Sequence, residues 1–77
     1  MTLHEFIAAF EEIVMVQSGT VNLETQLDTL DDWDSLSRAS LLTTCEEELD
    51  LKIDESILRK VTFFSEIVDL VDEKLVK

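Results

Sequence analysis

Two stretches of this chain repeat apolar residues at helical spacing, and almost nothing between them would break a helix. Leu3, Phe6, Ile7, Phe10, Ile13 and Val14 fall on one helical face. Phe64, Ile67, Val68, Val71 and Leu75 do the same near the other end. The sequence has no proline and a single glycine, Gly19, so the strongest helix breakers are nearly absent. No stretch shows the polar–apolar alternation of a half-buried strand. The expected fold is all-α.

The first helix is predicted from about Thr2 to Gln17. Thr2 and Glu5 have capping-box spacing, and Gly19 can supply the left-handed residue that stops it. Residues 18–34 make a long connection, of a length that is uncommon unless functional or anchored. Val21, Leu23, Leu27 and Leu30 are its candidate anchors, with a short turn expected near 24–28. A second helix should start at Asp34 or Ser35 and end near Leu49, with Leu36, Ala39, Leu42, Cys45 and Leu49 on one side and Glu46 at its margin. Leu51 and Ile53 should tuck a connector against the core. A short helix is predicted at about 55–60, with Asp54 as its cap and Arg59 and Lys60 at the end the macrodipole favours. Thr62 is predicted to cap a last helix over 63–76, closed by Lys74 and Lys77. The sum is a four-helix bundle of three longer helices and one short one, with a long loop between helices 1 and 2.

At 77 residues the chain fits one small domain, 1–77, with no room for a second. A domain near this size buries only about 60% of its unfolded surface, which leaves little material to wall a deep cleft. Met1 and the short ending "EKLVK" suggest a freestanding unit. The net charge is −12, which argues against nucleic acid and anionic membrane as partners. Proteins with basic patches fit better, because complementary fields speed encounter. A single cysteine cannot form an internal disulfide, no signal peptide opens the chain, and no apolar run would span a membrane. A cytoplasmic monomer is expected.

Catalytic furniture is sparse. His4 is the one histidine and sits in the first turn of the first helix. Cys45 lies in "TTCEEE", where acidic neighbours would raise its pKa, and reads as a small buried hydrophobe. Asp31, Asp32 and Asp34 cluster in "DDWD" without calcium-loop spacing or its glycine, so no specific metal site is expected. Ser35, in "DDWDSLSRAS", reads in two ways. It can simply cap the second helix. Alternatively, a hydroxyl at a helix N-terminus, beside free N–H groups and the positive dipole end, is a good anchor for a phosphodiester.

The stretch "DDWDSLSRASLLTTCEEELDLKIDESILRKVTFFSEIVDLVDEKL" resembles the acyl carrier protein family. Asp34-Ser35-Leu36 matches the family's D-S-L attachment motif. The apolar helix after it, the acidic "EEELD" ending, the following L-x-I and the step from a short helix through Thr62 into a last amphipathic helix also match in order. The resemblance implies a carrier and not an enzyme. A phosphopantetheinyl transferase would move 4′-phosphopantetheine from coenzyme A onto Ser35, making the chain a phosphoprotein whose arm holds an acyl or aminoacyl group as a thioester. Asp34 would position the serine, and Leu36 would be read by the transferase. Glu46, Glu47 and Glu48 would meet basic patches on the enzymes that load and unload it, in salt-sensitive, transient contacts.

The sequence also departs from the family pattern. Many relatives place glycine two residues before the serine, where this chain has Trp33, read here as a plug packing the long loop onto the bundle. Within the fatty-acid or polyketide and secondary-metabolism roles that the resemblance implies, W-D-S-L is similar to divergent freestanding carriers of secondary or surface-polymer pathways more than to housekeeping fatty-acid carriers. Arg38 puts a cation where fatty-acid carriers often have acid, which implies a dedicated partner set. Phe6, Phe10, Phe63 and Phe64 are expected to fill the space a long acyl chain would need, favouring a short acyl, hydroxyacyl or aminoacyl cargo. The competing readings are a peptidyl or aminoacyl carrier, such as a D-alanyl carrier, and an unmodified acidic helical adaptor in which Ser35 only caps.

Overall fold

Four α-helices make up the fold: α1 (Leu3–Ile13), α2 (Ser35–Leu49), α3 (Glu55–Lys60) and α4 (Phe64–Val71). Short 3₁₀ turns lie at Leu27–Thr29 in the long loop and at Asp72–Lys74 after α4. These elements come from a computed structural model in which residues 1–76 are described; Lys77, expected to close the last helix, lies outside them.

The α1 N-terminus forms as expected. The Thr2 hydroxyl accepts from the Glu5 N–H at 3.1 Å, and the Glu5 carboxylate accepts from the Thr2 N–H at 2.9 Å. The helix stops earlier than predicted, and Gly19 is not its stop. Met15 takes the left-handed position, with φ 56°, and the Val16 N–H reaches back to the Glu11 carbonyl at 3.0 Å. This is the termination a glycine usually provides, here adopted by a methionine. Glu11 explains the early turn. Its buried carboxylate accepts from the N–H groups of Gly19 and Val21, at 2.9 and 3.0 Å, and folds the loop back across the helix.

The long loop is anchored as its apolar residues suggest, with Val21 and Leu27 buried, Leu30 half-buried and Leu23 exposed. Backbone bonds tie it to the start of α4. The Leu27 N–H donates to the Thr62 carbonyl (2.8 Å), the Phe64 N–H to Thr25 (2.9 Å) and the Ser65 N–H to Leu23 (3.1 Å). Those bonds and Glu66 replace the expected Thr62 cap. The Glu66 carboxylate accepts from the N–H groups of both Thr62 and Phe63, and α4 begins at Phe64. The helix is shorter than predicted, because the chain tightens into the 3₁₀ turn after Val71. A bond from the Val76 N–H to the Met1 carbonyl (2.8 Å) then draws the two chain ends together.

The core takes most of the predicted faces of the first and last helices: Phe6, Phe10, Val14, Phe64, Ile67, Val68, Val71 and Leu75 are buried, while Leu3, Ile7 and Ile13 are half-buried against it. For α2 the predicted Cys45 and Leu49 are buried, but the first half of the face is rotated. Ser37, Leu41, Cys45 and Leu49, spaced every four residues, point inward, whereas Leu36 and Ala39 are exposed and Leu42 is half-buried. Glu46 faces solvent. The cause lies in the helix start, where Ser37 is drawn inward as part of the cap.

Candidate functional site

The site is the junction between the long loop and α2. Asp34, not Ser35, caps the helix. Its carboxylate accepts from the N–H groups of Leu36 and Ser37, both at 3.0 Å. The Ser37 hydroxyl closes the lock from the other side, accepting from the Asp34 N–H at 2.8 Å and donating to the Asp34 carbonyl at 3.0 Å. The Ser37 N–H bond, with help from Leu36, holds the Asp34 carboxyl below its ordinary value of 3.8. Two of the N–H groups expected to be free for an anion are therefore already taken by Asp34.

Ser35 is the first residue of α2 and is exposed. No hydrogen bond joins its hydroxyl to another described residue. Capping, the bland role open to this serine, is done by Asp34 and Ser37. What remains is an exposed hydroxyl without a hydrogen-bond partner at the start of a 15-residue helix, at the dipole's positive end. Leu36, beside it, is 77% exposed. Leu36 borders a shallow depression of about 170 Å³ together with Met15, Asp32, Asp34 and Ser40.

Trp33 fixes the loop just before the site. Its ring packs on Phe10 with centroids 5.4 Å apart; Phe10 packs on Phe64 at 4.8 Å, and Phe64 on Phe6 at 5.9 Å. This aromatic ladder runs from the loop into the middle of the bundle. Phe63 is not part of it and is 40% exposed, so only three of the four phenylalanines fill the interior.

Arg38 does not stand free in solvent as a cation on an open face. Its guanidinium lies over the Trp33 ring, 5.9 Å from the centroid. Its Nε is 3.8 Å from a Glu55 oxygen. Arg59 holds the same carboxylate more closely, at 2.7 Å. Glu46, Glu47 and Glu48 are exposed in the last turns of α2, away from the capped end. His4 is exposed in the first turn of α1. Cys45 is fully buried, and burial, not its acidic neighbours, pushes its thiol up to about 11.

Sequence reasoning missed Ser37 and Glu11. Ser37 stands three residues after Asp34, the distance at which cap and third helical residue exchange bonds, so spacing could have flagged it. Glu11 interrupts no pattern and gave no such signal.

No protein-family model matches the chain, and no curated protein matches its sequence. A solved structure does. The solution NMR structure of a holo acyl carrier protein from Geobacter metallireducens superposes with a TM-score of 0.74 at 30% identity, over 95% of this chain and 84% of that one.

Proposed function

Because the chain belongs to the acyl carrier protein family, we propose that it is a carrier, charged on Ser35 with 4′-phosphopantetheine from coenzyme A and presenting a bound acyl or aminoacyl group to partner enzymes. The observation that carries this is the exposed Ser35 hydroxyl, spared from capping by the Asp34–Ser37 lock. The residues fit the group in access: the Ser35 hydroxyl is exposed and has no intramolecular partner, while the Asp34 carboxylate, not a phosphodiester, occupies the Leu36 and Ser37 N–H groups at the helix start. When bound, the arm supplies a thiol that holds an acyl group as a thioester.

The chain's own part is positional. In loading, the Ser35 oxygen bonds to the phosphorus attached to pantetheine, the bond to 3′,5′-ADP breaks, and the serine proton passes to a base on the transferase. Asp34 holds the first turn of α2 rigid so that Ser35 is presented in one place. Leu36, the exposed neighbour, gives the transferase an apolar contact. Glu46, Glu47 and Glu48 meet basic patches on the enzymes that load and unload the arm, and such exposed pairs are weak and screened by salt, which suits a shuttle. Catalysis, on this reading, belongs to the partners. The acidic surface suits protein partners in the cytoplasm and not nucleic acid, and no helix among the described residues is long and apolar enough to cross a membrane.

The test is incubation with coenzyme A and a broad-specificity phosphopantetheinyl transferase, followed by peptide mapping. One added phosphopantetheinyl group on the peptide holding Ser35 supports the reading; a folded protein that takes up none overturns it.

A further inference from the structure

Met15 holds a backbone conformation that its side chain opposes. Its φ of 56° lies in the left-handed region, where a residue with a Cβ is strained and glycine is not. The other left-handed non-glycine among the described residues is Asp50, at φ 51°, and aspartate visits that region more readily. The turn at Met15 is imposed by its surroundings. The Val16 N–H closes on the Glu11 carbonyl at 3.0 Å, and the Glu11 carboxylate holds Gly19 and Val21 beyond it. Nothing in that turn requires a methionine. Core packing does not offset the strain either, because Met15 is 73% exposed. Strain of this kind clusters at functional sites.

Met15 borders the depression of about 170 Å³ at the α2 start, together with Leu36, Asp32 and Asp34. Met15 and Leu36 are the two most open large apolar side chains among the described residues, one just after α1 and the other in the first turn of α2. Small-molecule pockets run from roughly 300 to 1,000 Å³, so this depression suits one protruding side chain of a protein partner better than a ligand. Its two carboxylates are complemented by lysine or arginine around that side chain. Methionine, unbranched and polarizable, moulds itself to an apolar partner surface. Enzymes that act on the thioester work at the far end of the arm, whereas the transferase must bring its reacting atoms to the Ser35 oxygen itself. We propose that Met15 is a specificity contact for the phosphopantetheinyl transferase, seated with Leu36 against an apolar, cation-rimmed surface of that enzyme. The inference rests on the carrier reading and adds the end of α1 to a site otherwise built from α2 and the loop before it.

The protein's two methionines, Met1 and Met15, lie at opposite ends of α1, so NMR of labelled methionine methyl groups gives one reporter and one control. Titrating the apo protein with a broad-specificity transferase, without coenzyme A, is expected to shift or broaden the Met15 methyl signal and leave Met1 in place. Steady-state transfer from coenzyme A then compares wild type with Met15→Gly and Met15→Leu, with product confirmed by intact mass. Met15→Gly relieves the strain, so its urea midpoint should equal or exceed that of wild type. Its KM with the transferase should rise about tenfold, with kcat within about twofold, as for loss of an apolar contact made equally in ground and transition states. Met15→Leu, similar in volume, should stay within about threefold of wild type in KM. An unmoved Met15 methyl, equal shifts at both methionines, or a wild-type KM in folded Met15→Gly would overturn the proposal and leave the carrier reading intact, because loading is still seen by mass. Folded wild type that takes up no phosphopantetheine overturns the carrier reading and this proposal with it.

Discussion

Asp34 and Ser37 hold each other from both sides: the carboxylate accepts the Ser37 N–H at 3.0 Å, and the Ser37 hydroxyl accepts the Asp34 N–H at 2.8 Å. The lock places Ser35 between its two members and asks nothing of it. Ser35→Ala should therefore change stability by no more than about 0.5 kcal/mol, as for a surface site. Ser37→Ala removes a buried hydroxyl with two bonds and should cost on the order of 1–2 kcal/mol. Urea unfolding of the two variants beside wild type checks the order. Equal losses would mean that Ser35 shares the cap.

Acid should weaken the same lock. A carboxyl whose folded pKa lies below its unfolded value contributes stability that is fully present above the unfolded value and lost as pH falls through the folded one. For Asp34 that window begins near 3.8 and extends downward. Asp34→Asn keeps a good cap without the titration, so the advantage of wild type over it at pH 7 should shrink as pH drops below about 4. Thermal unfolding of both proteins from pH 7 to 3 measures this. A gap that widens in acid would contradict the assigned direction.

Cys45 offers a clean thiol count. Fully buried and with its thiol pushed up to about 11, it should react with a thiol reagent at pH 8 only as the protein unfolds. The apo protein should thus show no rapid thiol and the holo protein one, contributed by the arm. Rapid labelling of native apo protein would show that α2 is more open than its packing indicates.

The aromatic ladder links the site to the core. Phe10 touches both Trp33 and Phe64, and Phe10→Ala should cost about 3–5 kcal/mol, enough to unfold much of a domain this small. Phe10→Leu should cost less and leave the fold, while red-shifting Trp33 emission as the ring loses its cover. Unchanged Trp33 emission in the leucine variant would mean that the loop is held by other contacts.

Glu11 should matter more than an ordinary surface acid of α1. Glu11→Ala leaves the N–H groups of Gly19 and Val21 without their acceptor and should cost about 1–3 kcal/mol, against roughly 0.5 kcal/mol or less for exposed Glu12→Ala. Hydrogen exchange should accelerate first at Gly19 and Val21. Uniform acceleration across the chain would show that the carboxylate stabilises the fold as a whole and not the loop.

Much of this was legible in the residues. The apolar faces of α1 and α4 repeat strongly enough to fix their core positions, and D-S-L located the α2 start. The face of α2 was legible only in its second half, where Cys45 and Leu49 are buried as expected; in the first half its residues are mixed and Ser37, a polar residue, is turned inward in place of Leu36 and Ala39. The end of α1 was misjudged for a related reason: the left-handed turn fell on Met15, and the force that imposes it comes from Glu11 reaching eight and ten residues ahead. Local propensity reads neither. Arg38 was placed on the correct helix, but its stacking on Trp33 depends on how the loop folds back, which spacing does not encode.

The most direct test of the account is intact mass of wild type, Ser35→Ala and Ser37→Ala after incubation with coenzyme A and a phosphopantetheinyl transferase, with an unfolding curve for each. One phosphopantetheinyl group is expected on wild type and on folded Ser37→Ala, and none on Ser35→Ala despite its wild-type stability. A group added to Ser35→Ala, or none added to folded wild type, would contradict the claim that Ser35 is the attachment point.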